Sequence, residues 1–382
     1  MSSIKYAPMQ RHMCHGGVRR RGLPIDLMVI ASHALRMQDS AGEVGPRRGW
    51  RGPTVAQIAA AAGLGTATVD RVLNGRDGVR AATRERVVRA LRGLSEPAPA
   101  GQPAGHRIVF ICESGASFNR TLEEQLTHRA AAHPSLRCQF VGMSTATVEP
   151  VRFAQLLERV AADADALVVV AREDLTINRA LRAVTARGVP VVCLTTDLPT
   201  SGRIAYVGSD QVSAGSTAAY LLGRLVGAQP GKILIVVSAP YRGQEEREIG
   251  FRRVLRAEFG HLEVVDRVNS NDDPGWSHRN LRTYIEENGP PAGVYNVAGG
   301  NLGIARALAD SGLAGKTVFI GHELNANSRM LLECGQMDVV IGHDVAAEIE
   351  TALDYVGAVL QRRPPPTVVP SGVRVYTKYN CV

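Results

Sequence analysis

From residue 107 onward the chain alternates, almost without interruption, between strand-length apolar runs and helix-length amphipathic segments. The pattern predicts strands over 108–112, 138–143, 166–171, 189–194, 204–207, 233–238, 264–268, 293–297, 318–320 and 339–341. It predicts helices over 121–132, 150–162, 178–186, 212–225, 245–258, 277–288, 302–311 and 346–362. Runs such as ALVVV at 166–170 are apolar throughout, with no alternating polar face. Strands of that kind need cover on both sides, which parallel sheets with crossover helices provide. Nine or more strands exceed one comfortable doubly wound sheet, so two α/β lobes are expected within residues 107–382.

The 45% apolar content supplies a real core. No apolar run approaches the roughly 18 residues that a membrane span needs, so no membrane partner is expected. Residues 24–35, PIDLMVIASHAL, follow three arginines as a signal-peptide core does, but Asp26 and His33 interrupt them. Residues 1–51 therefore read as an extension without a motif, expected to be disordered. The six cysteines, Cys14, Cys112, Cys138, Cys193, Cys334 and Cys381, have neither paired nor metal-ligand spacing. No metal site is expected, and the compartment indicated is the cytoplasm.

Residues 53–94 follow different rules. They read PTVAQIAAAAGLGTATVDRVLNGRDGVRAATRERVVRALRGL. Thr54 can cap a first helix through its hydroxyl. Val55, Ile58, Ala59 and Ala62 repeat at helical spacing, Gly63 breaks the helix, and Leu64 can fill the angle that follows. A second helix is expected over 66–73, with Val69, Val72 and Leu73 inward and Asn74-Gly75 as its stop. A third, over 81–93, sets Val87, Val88, Leu91 and Leu94 against Arg84, Arg86, Arg89 and Arg92. Two short helices joined by a tight glycine turn place the second helix in a DNA major groove. Charge agrees with that reading. Residues 1–105 hold 16 basic and 7 acidic side chains, a net +9, whereas the rest of the chain carries −1. Such asymmetry suits a nucleic-acid-binding module attached to a neutral domain.

The block ATVDRVLNG, followed by V-x-x-x-T-R-E-R-V, resembles the headpiece of the lactose-repressor (LacI) family of transcriptional regulators. The stretches DALVVVA, RGVPVVCLTTDLP, YVGSDQVSAGSTAAYLLG, REIGF and GHELNANSRMLLECGQMDVVIGHD resemble the type I periplasmic-binding-protein-like domain of the same regulators. The resemblance implies an all-α helix-turn-helix headpiece over 52–94, a linker over 95–106 and a two-lobed α/β ligand-binding domain over 107–382. It places lobe 1 at about 107–207 and 343–362, and lobe 2 at about 208–342 and 366–382. The three crossings between lobes then fall near Gly208, His343 and 364–366. A homodimer, a near-palindromic double-stranded DNA operator and a small-molecule effector, a sugar or polyol, are the implied partners.

Matched position by position, the resemblance makes Thr66, Ala67 and Arg71 base-reading candidates. A guanidinium can pair with both major-groove acceptors of guanine, and a methyl can meet the thymine methyl. Thr68, Asn74 and Thr83 match positions that hold the sugar-phosphate backbone. Gly65 and Asp70 stand where the family usually has serine. Asp70 would repel phosphate unless it pairs with Arg71 or Arg76, or it could accept from a cytosine amino group. Residues 93–99, GLSEPAP, lack the family's Tyr-x-Pro-Asn and the hinge-helix leucine that wedges into the minor groove.

For the effector, family-like cleft positions are held by Phe118, Asn119, Asp197, Arg247, Asn296, Asn301, Glu323 and His343. Polar groups that can bond adjacent hydroxyls, with an aromatic face beside them, suit a polyol. The mixture of Arg, Glu and His also suits a cyclitol, a sugar acid or another polar metabolite. No nucleophile elbow, P-loop or dinucleotide fingerprint is present, so neither catalytic residues nor a cofactor are expected. Gly299-Gly300-Asn301-Leu302-Gly303 could receive a phosphate at a helix start, although its spacing fits no dinucleotide motif. A ligand-responsive, sequence-specific regulator, a repressor, is the function expected. A small-molecule-binding protein with a degenerate headpiece is the alternative.

Overall fold

The computed structural model describes residues 54–74, 76, 78–95 and 105–381, which fall into two units divided in the linker. The extension 1–51 and linker residues 96–104, with most of the divergent hinge segment, lie outside the described residues.

The first unit is a three-helix cluster: α1 (Val55–Ala62), α2 (Thr66–Leu73) and α3 (Ala81–Ser95). Thr54 opens α1 with a capping box. Its hydroxyl accepts from the Gln57 amide, while the Gln57 side-chain oxygen accepts from the Thr54 amide at 2.8 Å. Gly63 closes α1 at φ 59°, a left-handed conformation that glycine adopts without a Cβ penalty. Ile58, Ala59, Ala62, Val69, Val72 and Val87 form the core, with Leu64, Leu73 and Leu91 packed against it. Val55, expected on the inner face, is exposed at the first turn. Arg86, expected on the basic outer face of α3, instead donates to the Ala62 carbonyl at 2.6 Å and completes the end of α1.

The second unit holds two sheets. In the first, β1 (His106–Ser114), β2 (Leu136–Ser144), β3 (Ala166–Val170), β4 (Val191–Leu194) and β5 (Ala205–Val207) run parallel in the order β2-β1-β3-β4-β5. Alternation along β1 explains the layers. Ile108, Phe110 and Cys112 pack under α4 (Ala116–Ala130) and α12 (Val345–Leu360). Val109 and Ile111 face the opposite layer, α5 (Pro150–Ala161) and α6 (Leu175–Ala186).

The second sheet has the order β11-β10-β9-β8-β6-β7. It comprises β6 (Gly231–Val237), β7 (Leu262–Asn269), β8 (Gly293–Asn296), β9 (Val318–His322), β10 (Val339–Gly342) and an antiparallel edge strand, β11 (Arg374–Tyr376). Ile233 and Ile235 pack with α7 (Gln211–Val226) and α8 (Arg242–Glu258). Leu234 and Val236 pack with α9 (Pro274–Asn288), α10 (Asn301–Asp310) and α11 (Ala326–Glu333). All ten strands expected from the sequence are present. Two short elements, α11 and β11, were not expected: eight and three residues carry little periodicity.

The chain passes between the sheets three times: between β5 and α7, between β10 and α12, and along the segment leading from α12 to β11. The first and third passages run side by side, the Ser371 amide donating to the Gly208 carbonyl at 3.0 Å. Helices α7 and α8 approach until a Cβ on Gly215 would lie 1.8 Å from the Arg247 carbonyl oxygen, and one on Gly250 2.1 Å from that of Val212. Two glycines thus set the depth at which α8 carries Arg247. A methyl group forced against backbone costs about 1–3 kcal/mol or somewhat more. Gly215→Ala should therefore lower the urea midpoint of the second unit clearly. Gly260→Ala, whose Cβ would meet nothing within 4 Å, should leave it nearly unchanged. Equal midpoints for the two variants would refute the close approach.

Candidate functional site

In the first unit, α2 turns Val69 and Val72 into the core and leaves Thr66, Ala67, Arg71 and Asn74 exposed, with Thr68 and Asp70 half-buried. Positions 67, 70, 71 and 74 lie on one stripe at i, i+3, i+4 and i+7, the face opposite the core. Asp70 is already partnered. The Asn74 side-chain amide donates to its Oδ1 at 2.8 Å, and the Arg76 guanidinium stands 3.8 Å from Oδ2. The Arg71 guanidinium makes no hydrogen bond or ion pair among the described residues, so it stays available to an outside acceptor. Thr83 is half-buried in the first turn of α3.

In the second unit, a cleft opens where the carboxyl ends of the two parallel sheets face each other. The first sheet contributes Glu113 and Ser114 from the end of β1, Ser117 and Phe118 from the start of α4, and Thr195 and Thr196 beyond β4. The second contributes Tyr241, Gln244 and Arg247 from the entry to α8, Asp272 beyond β7, Gly299 beyond β8 and Glu323 beyond β9. Hydrogen bonds join the two walls directly. The Tyr241 hydroxyl donates to the Glu113 carbonyl at 2.9 Å and lies 2.8 Å from the Thr145 hydroxyl. The Thr145 hydroxyl is also 3.1 Å from Asp272 Oδ2, and the Gly243 amide donates to Thr196 Oγ1 at 3.1 Å.

Among the described residues, four of the five non-glycine ones with positive φ belong to the loops that build this cleft: Thr195 at 63°, Asn271 at 48°, Asp272 at 54° and Glu323 at 70°. Such backbone is costly for a β-branched threonine or a glutamate. It persists only where the surroundings over-determine it, and functional sites concentrate such strain.

The electrostatics of the cleft are dominated by burial. Glu113 is fully buried and ion-paired with Arg172, whose Nη2 also donates to the Thr145 carbonyl at 3.2 Å. Burial raises the Glu113 carboxyl above its usual range even though Arg172 opposes the shift. Burial likewise raises Asp272, against the Gly299 amide and the Thr145 hydroxyl that favour its charge. Glu323 is pushed up to about 7 by burial, with Arg247 and His343 pulling the other way.

The structure brings three of the expected ligand positions into the lining, Phe118, Arg247 and Glu323. The other five are engaged elsewhere. Asn119 donates to the carbonyls of Ser114 and Met143, tying the end of β1 to β2. Asp197 forms a two-pronged ion pair with Arg203. Asn296 donates to Asn301 Oδ1 at 2.6 Å, and Asn301 donates to the His322 carbonyl at 3.0 Å, which makes them a buried brace between β8 and β9. His343 directs Nδ1 to Glu348 Oε1 at 2.8 Å at the second passage between lobes. Among the lining residues not expected from the sequence are Glu113, Thr195, Tyr241 and Asp272. Two carried a signal: Glu113 is a lone acid at the end of an apolar strand, and Asp272 stands in an NDD turn after another.

Known proteins support both units. The family model for the bacterial regulatory proteins of the lacI family matches residues 54–95, and that for the periplasmic binding protein domain matches residues 108–364. No curated protein sequence matches significantly. Among solved structures, GanP, a glucose-galactose binding protein from Geobacillus stearothermophilus, superposes with a TM-score of 0.66 at 19% identity, covering 73% of this chain and 99% of its own. A carbohydrate-transporter solute binding protein from Agrobacterium radiobacter, in complex with D-arabinose, gives 0.67 at 18% identity, covering 73% and 96%. One from Agrobacterium vitis, bound with α-D-tagatopyranose, gives 0.66 at 22%, covering 72% and 95%. These likenesses establish the two-lobed fold. The chain belongs to the periplasmic binding protein domain family, carried behind a lacI-type DNA-binding headpiece as in the lacI-family regulators.

Proposed function

We propose that this protein is a cytoplasmic, dimeric repressor that binds a near-palindromic operator through α2 and releases or tightens its hold when a sugar, sugar alcohol or related polar metabolite enters the cleft. The observation that carries the reading is the union, in one chain, of an exposed helix stripe whose Arg71 has no partner among the described residues with a polar cleft between two lobes. Two copies would present two recognition helices to two half-sites, so operator symmetry would follow protein symmetry. In each, Arg71 pairs with a guanine edge, Ala67 offers a methyl contact, and Thr66 reaches a neighbouring base. Thr68 and Thr83 hold phosphates and set register, and Asn74 joins them only by giving up the bonds of its side-chain amide to Asp70. The pairing of Asp70 with the Asn74 amide and the Arg76 guanidinium favours specific binding over the alternative of a degenerate headpiece, since the carboxylate no longer faces phosphate alone.

In the cleft, Arg247 and Glu323 from one lobe and Phe118 from the other meet the effector, with Asp272 and Thr195 beside them. Ligand that bridges the walls favours the closed lobes, and closure changes the spacing of the headpieces in the dimer. Effector and operator affinities are then linked reciprocally. The reading is of a binding protein; no step of bond chemistry is assigned to any residue.

Capture of fragmented genomic DNA by the full chain at near-physiological salt should enrich a short palindrome. Arg71→Ala should weaken binding to it by about tenfold to a hundredfold, the value of one good bidentate base contact. Retention of that palindrome by the mutant at undiminished affinity would remove Arg71 from the readout. The effector side has its own check. A compound that shifts operator affinity in the wild type should lose that effect in Arg247→Met, whereas DNA affinity without the compound should stay within about threefold, because the headpiece is untouched. An unchanged response in Arg247→Met would take the arginine out of the effector site.

A further inference from the structure

We propose that lobe 1 carries a site for a divalent transition-metal ion such as zinc. His133, Glu350 and Asp354 hold the ion between α12 and the turn that follows α4. The site goes beyond the effector reading and does not depend on it, since none of the three residues lines the cleft.

The ligand atoms of the three side chains all lie within 4.8 Å of one another. Their placement follows from the backbone. Glu350 and Asp354 stand one turn apart on α12, an i, i+4 pair that shares one stripe of the helix. His133 comes from the turn between α4 and β2. There its amide donates to the Ala130 carbonyl at 3.0 Å, and its carbonyl accepts from the Leu136 amide at 2.9 Å. The turn is thus held on both sides of the imidazole. Its distance from α12 is fixed one turn beyond Asp354. Leu136 packs with Leu353 and Val356, and a Cβ on Gly357 would lie 3.7 Å from Leu136 Cδ1, so β2 begins in contact with the helix. The imidazole already reaches Glu350, with Nε2 at 2.9 Å from Oε1. The two residues are 217 positions apart, which is why spacing along the chain does not reveal the cluster.

Charge gives the reason to place an ion there. Two carboxylates one turn apart on a helix repel each other. Glu350 has the imidazole beside it, whereas Asp354 makes no hydrogen bond or ion pair among the described residues. A divalent cation accepts both carboxylates and the imidazole nitrogen at once and turns the repulsion into attraction. The His133 side chain is 15% exposed and that of Glu350 35%, so these ligand atoms are partly withdrawn from water. Exposed Asp354 keeps one side open, for entry of the ion and for a water that completes its shell. One imidazole nitrogen and two carboxylate oxygens are a donor set for zinc and its neighbours in the first transition row. Magnesium and calcium prefer oxygen alone.

An ion so held ties α12 to the α4–β2 turn, in the helical layer that covers Ile108, Phe110 and Cys112. Binding is then coupled to the stability of the second unit, because the unfolded chain does not bring the three ligands together.

Differential scanning calorimetry of the full chain, in chelator-free, non-coordinating buffer with zinc ion alone as the probe, tests the proposal. Zinc at about a hundredfold of its Kd should raise the midpoint of the second unit by about 5 °C, and EDTA should reverse the rise. Loss of a residue that only orients a metal ligand costs about 10–100-fold in affinity, and loss of a ligand costs at least as much. His133→Gln and Asp354→Asn should therefore each cut the rise to about half or less at the same zinc concentration. Cys334→Ser, which removes an exposed thiol from the same unit, should keep the full rise. Magnesium and calcium ions should leave the midpoint where it stands. Zinc taken up by His12, Cys14 or His15 binds outside the unit whose melting is followed and does not move this transition. Absence of a rise in the wild type overturns the proposal, and so does a rise that persists undiminished in both ligand variants. A rise lost in Cys334→Ser moves the ion to another site, and an equal rise with magnesium or calcium removes the transition-metal assignment. None of these results bears on the effector reading.

Discussion

The parallel direction of the strands is the constraint from which the rest of the second unit follows. A strand that runs parallel to its neighbour must be followed by a crossover, and its buried backbone needs apolar cover on both faces. Even and odd positions of β1 therefore enter different helical layers, which is why IVFIC carries no polar face. The same direction brings the carboxyl ends of the parallel strands out at one edge of each sheet. Groups too polar for the core collect there, at Glu113, Thr195, Asp272 and Glu323, and ligands of open α/β sheets bind beyond such ends. The cleft is thus the polar remainder of two otherwise apolar sheets.

A second dependence lies at the passages between lobes. Glu348, in the first turn of α12, is buried and takes hydrogen bonds from Ser371 Oγ and His343 Nδ1. It thereby ties the second passage to the third, while Ser371 ties the third to the first through the Gly208 carbonyl. Burial works against charging His343, but the adjacent Glu348 carboxylate overrides it and raises the imidazole above its ordinary range. A buried carboxylate needs a donor beside it, so the two hold one another in place. Lobe movement must turn about these three strands of chain.

The headpiece rests on different physics. Its core is, among the described residues, six buried aliphatic side chains, and its turn depends on Gly63 at positive φ with Arg86 closing the carbonyl of Ala62. So small a core leaves the outer stripe of α2 independent of packing. Asp70 shows the consequence: the departure from the family pattern is answered on the same surface, by Asn74 one turn on and by Arg76.

How much was legible in the sequence follows from how local each cause is. Periodicity and apolar runs are local, so the sequence alone determined the helix-turn-helix unit, the ten main strands and the parallel α/β class. The family resemblance placed Arg247 and Glu323 at cleft positions, and the structure puts both in the cleft lining. Tertiary structure alone decided that Asp197 is committed to Arg203, that Asn296 and Asn301 brace each other, and that His343 serves a passage between lobes. It also decided that Tyr241, Thr145 and Asp272 clasp across the cleft, although 127 positions separate the last two. A side chain's role depends on which partner it meets first in space. For residues on different strands and lobes that meeting is fixed by the folded backbone and leaves no periodic trace in the chain.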